Sequence, residues 1–285
     1  MANNHIISVV GAGTMGNGIA HVFALCDEIQ KVSLIDLDVT ILEKAKLIIE
    51  KNLQRQVQKN IISSSNAQEA LNKIFCTTKI EDIENSNLII EAVKEDFNIK
   101  KIIFEKLDSL SGDDTILATN TSSISIDKIG NSINKTENVI GMHFMNPVPV
   151  MKLVEIIKGC KTNNLIVKKT LDYVSLINKI AIECNDSPGF VSNRILMPMI
   201  NEAAFTLMEG VAEVEAIDGI MKLGMGHPMG PLKLADLIGI DVCVSIMKVL
   251  FDGFDNPKYK VCPLLEDMQN NNKLGVKTKE GFYKY

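Results

Sequence analysis

The sequence lacks any hydrophobic run long enough to cross a membrane, and it lacks a secretory signal at its N-terminus. A membrane-spanning helix needs about 18 to 20 consecutive apolar residues, and no run in this chain reaches that length. The opening segment MANNHIISVVGAG enters a strand-like pattern without a basic stretch followed by an apolar core. We therefore expect a cytoplasmic protein without a membrane partner.

The sequence also lacks the cysteine spacing of metal sites and the positive charge typical of nucleic-acid-binding proteins. No CxxC pair occurs among the six cysteines, at positions 26, 76, 160, 184, 243 and 262. This spacing predicts the reduced thiols of a cytosolic protein and no bound metal. The net charge of −5 disfavours nucleic acid as a partner.

The 285 residues, of which 46% are hydrophobic, suffice for two domains. In the first part of the chain, short β-rich runs alternate with helical patterns. The predicted strands are 5–10, 31–36, 74–78, 87–93, 115–120, 138–144, 151–157 and 180–184, and the helices between the first of them are 15–26, 38–60, 66–73 and 98–110. Such alternation predicts an α/β domain with a largely parallel sheet.

The composition changes near the segment CNDSPG, where Asp, Ser, Pro and Gly cluster. Beyond it, long runs with helical spacing and frequent methionine replace the β-rich segments. They predict helices at about 189–209, 213–222, 231–251 and 263–270. We therefore predict an α/β domain over residues 1–184 and a smaller all-α domain over residues 185–285.

A glycine-rich loop lies between the first predicted strand and the first predicted helix. It consists of Gly11, Ala12, Gly13, Thr14, Met15 and Gly16. In this context the first glycine allows a tight turn, the second lets a pyrophosphate approach the backbone, and the third allows close helix–strand packing. The pattern predicts a Rossmann-like, doubly wound domain that binds a dinucleotide at the helix N-terminus. The alternative is a structural turn rich in glycine.

An acidic residue, Asp36, ends the second predicted strand, 20 residues after Gly16. At this spacing a carboxylate can accept hydrogen bonds from the adenosine ribose of a dinucleotide. The same carboxylate would repel a 2′-phosphate, and no arginine stands beside it in the sequence. We therefore predict NAD as the cofactor, with NADP disfavoured.

The segment GMHFMNPVPVMKLVEII, residues 141–157, contains one carboxylate in a mostly apolar run. Strand alternation places Met151, Leu153, Glu155 and Ile157 on one face, so the carboxylate is predicted to be buried among apolar side chains. A buried carboxylate without a partner is costly. A nearby histidine, His143, could donate one ring N–H to it and keep the other nitrogen as a base.

A histidine–glutamate pair beside a nicotinamide suggests oxidation of an alcohol or its reverse. The base takes the hydroxyl proton while a hydride leaves the same carbon for the cofactor. Taken alone, His143 is more readily explained as a satisfied histidine of the core. Its combination with Glu155 and the dinucleotide loop favours the catalytic interpretation.

Over essentially its whole length, the chain resembles the 3-hydroxyacyl-CoA dehydrogenases, especially the short-chain bacterial 3-hydroxybutyryl-CoA dehydrogenases. The motifs that carry the resemblance are VVGAGTMGNGIA, NTSSISI, GMHFMNPVPVMKLVEII, DSPGFVSNRIL, GMGHPMGPLKLADLIGID and GFYKY, in the order of the family. The resemblance implies NAD-dependent interconversion of (S)-3-hydroxybutyryl-CoA and acetoacetyl-CoA.

The resemblance also implies roles for individual residues. His143 would be the catalytic base or acid, and Glu155 would orient it. Ser122 would hydrogen-bond the reacting oxygen of the substrate, and Asn193 would hold the substrate near the thioester. The implied cofactor contacts are the Gly11–Gly16 loop, Asp36, Glu95, Lys100, Asn120, Ser122, Asn146 and Lys277.

The family binds coenzyme A partly through the helix after Asp36, which implies that Asn52, Arg55 and Lys59 contact it here. Lys51, Arg55 and Lys59 follow i, i+4, i+8 spacing and form a basic stripe suited to an anionic ligand. The alternative is an ordinary solvated helix face. The resemblance further implies a substrate cleft and homodimer formation for the helical domain.

Two other functions are compatible with a Rossmann-like fold. A β-hydroxyacid dehydrogenase acting on a free acid would use a lysine base on the helix after the nucleotide domain, but residues 180–221 contain no lysine. A non-catalytic NAD-binding protein would be expected to lack Ser122, His143, Glu155 or Asn193, and all four are present.

Overall fold

The computed structural model describes residues 5–285, so residues 1–4, part of the segment used for the signal-sequence prediction, lie outside the described residues. The chain divides into one compact unit that ends at Asp186 and a second unit over Ser187–Tyr285. The boundary predicted between residues 184 and 185 would cut the last strand of the first unit, because that strand continues to Asn185.

The first unit is built on one eight-stranded sheet. Its strands are β1 (His5–Val10), β2 (Ile29–Ile35), β3 (Ile74–Thr77), β4 (Leu88–Glu91), β5 (Ile116–Thr119), β6 (Val139–Phe144), β7 (Leu153–Lys158) and β8 (Ile180–Asn185). Their order in the sheet is β3-β2-β1-β4-β5-β6-β7-β8. All neighbouring pairs are parallel except β6 and β7, which are antiparallel.

The strand order reverses direction at β1, since β2 follows on one side of it and β4 lies on the other. In open α/β sheets, such a reversal leaves a crevice at the carboxyl ends of the two strands on either side, where ligands bind. The residues of β4, β5 and β6 are all buried, as expected for strands covered by helices on both faces. The carboxyl edge of β1, β4, β5 and β6 is therefore the place to look for a site.

The helices of the first unit are α1 (Thr14–Ala24), α2 (Val39–Gln58), α3 (Ser64–Lys73), α4 (Phe97–Leu110), α5 (Ile126–Gly130) and α6 (Asn164–Leu176). The sequence prediction omits α5 and α6. For α6 the signal is present, because Asn163 caps its first turn and Ile166, Val167, Thr170, Tyr173 and Val174 form a buried stripe. The polar residues between these positions obscure the periodicity.

Within the described residues, the second unit is built from helices, apart from isolated β-bridges of Glu280 with Gly275 and Lys284. Its helices are α7 (Ser192–Met208), α8 (Val214–Met225), α9 (Pro231–Ile238), α10 (Ile240–Phe254) and α11 (Pro263–Asn270). The single helix predicted over 231–251 is wrong, because Gly239 ends α9 and begins α10 with a φ of +106°. That positive φ is accessible to glycine and breaks the α-helical backbone.

The structure confirms the predicted fold class, a Rossmann-like α/β domain with a largely parallel sheet followed by a smaller all-α domain. One detail of the strand prediction is wrong. Met151 precedes β7, which begins at Leu153, and its side chain is exposed. Among residues 5–285, no helix combines the length and apolar character needed to span a membrane.

His21 on α1 is buried in the first unit, and burial lowers its pKa from 6.5 to about 4. Its Nε2 lies 3.4 Å from Gln56 Oε1, and its Nδ1 has no hydrogen-bond partner within the described residues. Because the unfolded chain binds a proton here at higher pH than the folded chain, this group makes the protein less stable as pH falls below 6.5.

We expect lowering the pH from 7.5 to 5.5 to cost about 1.4 kcal/mol of unfolding free energy through His21 alone. Urea unfolding of the wild type and of His21→Leu at both pH values measures this difference. The variant should lose less stability than the wild type over this interval, and equal losses in the two proteins would contradict the assignment.

Candidate active site

The glycine loop connects β1 to α1 at the carboxyl edge of the sheet. A Cβ at Gly11, where φ is +100°, would lie 2.6 Å from the carbonyl oxygen of Ala92, and a Cβ at Gly16 would lie 1.7 Å from that of Gly11. Both positions therefore require glycine. A Cβ at Gly13 would meet nothing within 4 Å, so the space above this residue is open.

The first turn of α1 faces that open space without a side-chain cap. Gly13 is the N-cap residue, and no described side chain accepts a hydrogen bond from the first backbone N–H groups of the helix. Such uncapped N–H groups, together with the helix dipole, form an anion-binding site. The arrangement fits a pyrophosphate over Gly13, Thr14 and Met15.

Asp36 follows the end of β2 and contacts the glycine loop. Its Oδ2 accepts the N–H of Ala12 at 2.8 Å, so this carboxylate holds the loop as well as facing the adjacent cavity. The cavity has a volume of about 650 Å³. It is lined by Gly11, Gly13 and Asp36 and, further out, by Leu37, Ile41, Ile80, Ile99, Ile102 and Lys106.

Some of the apolar side chains that line this cavity are strongly exposed. Leu37 is 95% exposed, and Ile102 is 56% exposed. Large apolar side chains beside a pocket are typical of ligand sites, since a bound planar group can cover them. Together, the open helix terminus, the carboxylate and the apolar slot fit the diphosphate, ribose and adenine of a dinucleotide.

The predicted histidine–glutamate pair is present on β6 and β7. The two residues are direct cross-strand neighbours in the antiparallel pair, and His143 Nδ1 lies 2.7 Å from Glu155 Oε2. The two residues are 8% and 4% exposed. Because an ionised carboxylate only accepts hydrogen bonds, Nδ1 is the donor in this pair and Glu155 Oε2 is the acceptor.

Two further side chains, those of Asn120 and Lys179, hold the strand ends beside His143 through hydrogen bonds. Asn120 follows β5, and its Oδ1 accepts the N–H of Phe144 at 2.9 Å, which ties β5 to β6. Lys179 donates to the carbonyl oxygens of Val148 and Met151, both at 2.6 Å, and so fastens the loop between β6 and β7. Burial lowers the pKa of Lys179. Asn146, a predicted cofactor contact, lies exposed in this loop.

Ser122 lies in a short loop after β5, and several residues of this loop donate hydrogen bonds to Glu95. One oxygen of Glu95, Oε1, accepts the N–H groups of Ser122 and Ser123, each at 3.0 Å, and the hydroxyl of Thr121 at 2.6 Å. Although burial acts to raise it, the pKa of Glu95 is lowered, because Lys100 and these donors together outweigh burial. Glu95 therefore remains a carboxylate that organises the loop.

Lys100, also predicted as a cofactor contact, is almost completely buried on α4. Its Nζ lies 2.7 Å from Glu91 Oε1 and 3.3 Å from Glu95 Oε2. The sequence analysis missed Glu91. An acid at the end of the apolar run NLIIEAV is the signal that could have identified it, for the same reason that drew attention to Glu155.

The predicted coenzyme A contacts lie on and just beyond α2. Lys51 and Arg55 are exposed on the helix, Asn52 is half-buried, and Lys59 is the exposed residue that follows the last helical residue, Gln58. The basic stripe thus continues past the C-terminus of α2, where the helix dipole also interacts favourably with positive charge.

The remaining predicted site residues belong to the second unit. Asn193 is 7% exposed in the first turn of α7. Lys277 forms an ion pair with Asp241 in the first turn of α10. Their predicted roles toward substrate and cofactor stay predictions.

The chain matches two family models that together span nearly all of it. Residues 6–187 match the NAD binding domain of 3-hydroxyacyl-CoA dehydrogenase, and residues 189–285 match the C-terminal domain of that enzyme. The chain belongs to the 3-hydroxyacyl-CoA dehydrogenase family. The family predicted from the motifs is thereby confirmed, and the chain is an NAD-dependent dehydrogenase.

Individual relatives agree with the family models. The chain is 48% identical to a 3-hydroxybutyryl-CoA dehydrogenase of Clostridioides difficile, over 98% of this chain and 99% of the relative. It is 38% identical to the human mitochondrial hydroxyacyl-coenzyme A dehydrogenase, over 98% and 90% of the two chains. The crystal structure of the (S)-3-hydroxybutyryl-CoA dehydrogenase from Ralstonia eutropha superimposes with a TM-score of 0.95, at 40% identity and 99% coverage of both chains.

Proposed function

We propose that this 3-hydroxyacyl-CoA dehydrogenase interconverts (S)-3-hydroxybutyryl-CoA and acetoacetyl-CoA with NAD(H). The observation that carries the proposal is the buried His143–Glu155 pair, because His143 lies near the end of β6, at the same carboxyl edge of the sheet as the glycine loop that follows β1. The short-chain substrate is supported by the relatives named 3-hydroxybutyryl-CoA dehydrogenase at 45% to 48% identity.

The proton in this reaction moves at Nε2 of His143. In the oxidative direction this nitrogen takes the proton of the C3 hydroxyl, and in the reductive direction it returns that proton. Glu155 accepts the Nδ1 proton throughout, so it fixes the tautomer and stabilises the imidazolium when Nε2 is protonated. Bound NAD supplies the hydride chemistry at C3.

Other residues bind and orient the substrate in this proposal. Ser122 donates its hydroxyl proton to the C3 oxygen, and its place is set by the backbone contacts to Glu95. Asn193 hydrogen-bonds the substrate near the thioester. Arg55, Lys59 and Asn52 contact the coenzyme A moiety, with the two basic side chains favouring its phosphates.

The proposed cofactor contacts combine the loop and the polar residues around it. The first turn of α1 would hold the pyrophosphate, and Asp36 would accept the ribose hydroxyls. The other proposed contacts are Glu95, Lys100, Asn120, Ser122, Asn146 and Lys277. Lys100 supports the site by engaging Glu95, since its ammonium lies between two carboxylates.

Asp36→Ala is expected to weaken NADH binding by about tenfold to a hundredfold, because charge-assisted hydrogen bonds to the ribose are lost. It should also reduce discrimination against NADPH, because the charge that repels a 2′-phosphate is removed. Titration of NADH and NADPH fluorescence measures both effects. The matched control is Asp38→Ala, which removes only the cap of α2 and should preserve the ratio of the two affinities.

The substrate class is tested by following the absorbance at 340 nm with acetoacetyl-CoA and NADH, with free acetoacetate and NADPH in parallel. Rapid oxidation of NADH with the thioester alone supports the proposal. Turnover of the free acid would instead favour a β-hydroxyacid dehydrogenase. Bound NADH without turnover of any substrate would favour a non-catalytic protein.

We also propose that the protein is a cytoplasmic homodimer assembled through its helical unit. Large apolar side chains of this unit are exposed, among them Ile195, Val211, Ile220, Leu223 and Met225. Exposed apolar side chains in such number are typical of surfaces buried in an assembly. Sedimentation velocity should give the mass of a dimer at micromolar concentration, and a monomer there would contradict this assembly.

A further inference from the structure

The carboxylate at the end of β4 is completely buried and accepts hydrogen bonds at both oxygens. Glu91 has no exposed surface. Its Oε1 accepts the N–H of Val93 and an N–H of the Lys100 ammonium, both at 2.7 Å, and its Oε2 accepts the hydroxyl of Thr119, also at 2.7 Å. These donors fix the carboxylate in one orientation.

The ammonium of Lys100 connects this carboxylate to a second one. It is 1% exposed and lies 2.7 Å from Glu91 Oε1 and 3.3 Å from Glu95 Oε2. Lysine is normally a flexible side chain that ends in water. Here the buried carboxylate determines where the ammonium lies, and the ammonium in turn attracts Glu95.

Glu95 in turn accepts hydrogen bonds from the loop after β5. Its Oε1 accepts hydrogen bonds from the N–H groups of Ser122 and Ser123 and from the hydroxyls of Thr121, Ser122 and Ser123. The side chain of Glu95 is 36% exposed, so the core alone does not hold it in place. Two contacts join it to the buried interior: its ion pair with Lys100 and the hydrogen bond that it accepts from the fully buried Thr121.

A buried ion pair is weak evidence for a role in stability, because replacing both partners with apolar side chains is often neutral or stabilising. The Glu91–Lys100 pair is connected through Glu95 to Ser122, a proposed substrate contact, and this position suggests a different role. Displacing a positioned group by about 1 Å can reduce turnover roughly a hundredfold even when the altered residue lies away from the chemistry.

We propose that Glu91 is a positioning residue that acts through Lys100 and Glu95 to fix the place of Ser122. The proposal rests on the proposed function, in which Ser122 contacts the C3 oxygen of the substrate. It assigns a role to a buried group that touches neither substrate nor cofactor, and it makes Lys100 one link between the sheet interior and the Ser122 loop, beside the hydrogen bonds of Thr119 and Thr121.

The test is a double-mutant cycle in the full-length protein, with kcat measured at saturating acetoacetyl-CoA and NADH. Glu91→Gln should lower kcat by about tenfold to a hundredfold. On a Ser122→Ala background, the same substitution should lower kcat by less than about threefold, because the group it positions is already gone. A role confined to stability would not produce this dependence on Ser122.

Two further variants separate positioning from folding. Ser8 lies in β1, the strand beside β4, and Ser8→Ala removes its buried hydrogen bond to Ser86. This substitution should lower thermal stability while leaving kcat unchanged. Glu91→Gln with Lys100→Met avoids leaving a lone buried ammonium, so it should fold even if Glu91→Gln does not. At saturating NADH its kcat should be low, and on a Ser122→Ala background the same pair of substitutions should lower kcat by less than about threefold.

The outcomes distinguish this inference from the proposed function. If Ser122→Ala lowers kcat and Glu91→Gln does not, the positioning role is wrong and the function stands. If the two substitutions lower kcat independently, so that their effects multiply, the route through Ser122 is wrong. If Ser122→Ala itself has wild-type kcat, both the role of Ser122 and the positioning role are overturned.

Discussion

Replacing His143 with glutamine is expected to reduce turnover of acetoacetyl-CoA by about 10³- to 10⁴-fold. Glutamine fills a similar volume and still offers a hydrogen bond to Glu155, but its amide neither accepts nor releases a proton near neutral pH. The C3 oxygen would then have to gain its proton from water. The loss should appear in kcat, since the proton transfer belongs to the chemical step.

NADH binding provides the control for this variant. In the structure, His143 lies on β6, whereas the glycine loop and Asp36 follow β1 and β2. We therefore expect the affinity for NADH to stay within about threefold of the wild-type value. The chain contains no tryptophan, so the fluorescence of bound NADH can be titrated without interference from indole emission.

Retention of wild-type turnover in His143→Gln, with the protein folded, would overturn the proposed mechanism. A loss of NADH affinity as large as the loss of kcat would also contradict it, because the substitution would then have disturbed the cofactor site. Thermal unfolding of both proteins decides whether the variant is folded under the assay conditions.

The pairing of Glu155 with His143 could be predicted because a short segment places a charged residue where an apolar one is expected. Glu155 is an acid in an apolar strand, and this conflict points to a buried partner. The antiparallel register of β6 and β7 then places His143 opposite Glu155. The glycine loop is predictable for a similar local reason, since Gly11 and Gly16 stand where a Cβ would collide with backbone atoms.

The features missed by the sequence analysis depend on contacts between distant segments. Glu91, Lys100 and Thr119 converge only because β4 and β5 are neighbours in the sheet and α4 packs beside them. Similarly, the break at Gly239 depends on a backbone angle that helical periodicity does not report. Hydrophobic patterning predicts which segments are buried, but it does not identify the partner of a buried charge.

Glu155→Gln is expected to lower kcat by about 10²- to 10³-fold, somewhat less than His143→Gln. The carboxamide has the shape of the carboxylate but no charge, so it no longer stabilises the imidazolium. Its N–H group can also donate to Nδ1, which would move the histidine proton to Nε2 and leave the base in the wrong tautomer.

The decisive form of this experiment combines both substitutions. If Glu155 acts only by orienting and stabilising His143, then Glu155→Gln should change kcat by less than about threefold in a protein that already carries His143→Gln. If Glu155 instead contributes independently, for example by holding substrate, the double variant should be slower than the wild type by the product of the two single effects. Glu155 is 4% exposed and pairs with Nδ1 of His143, so we expect it to act through His143 and to give the first result.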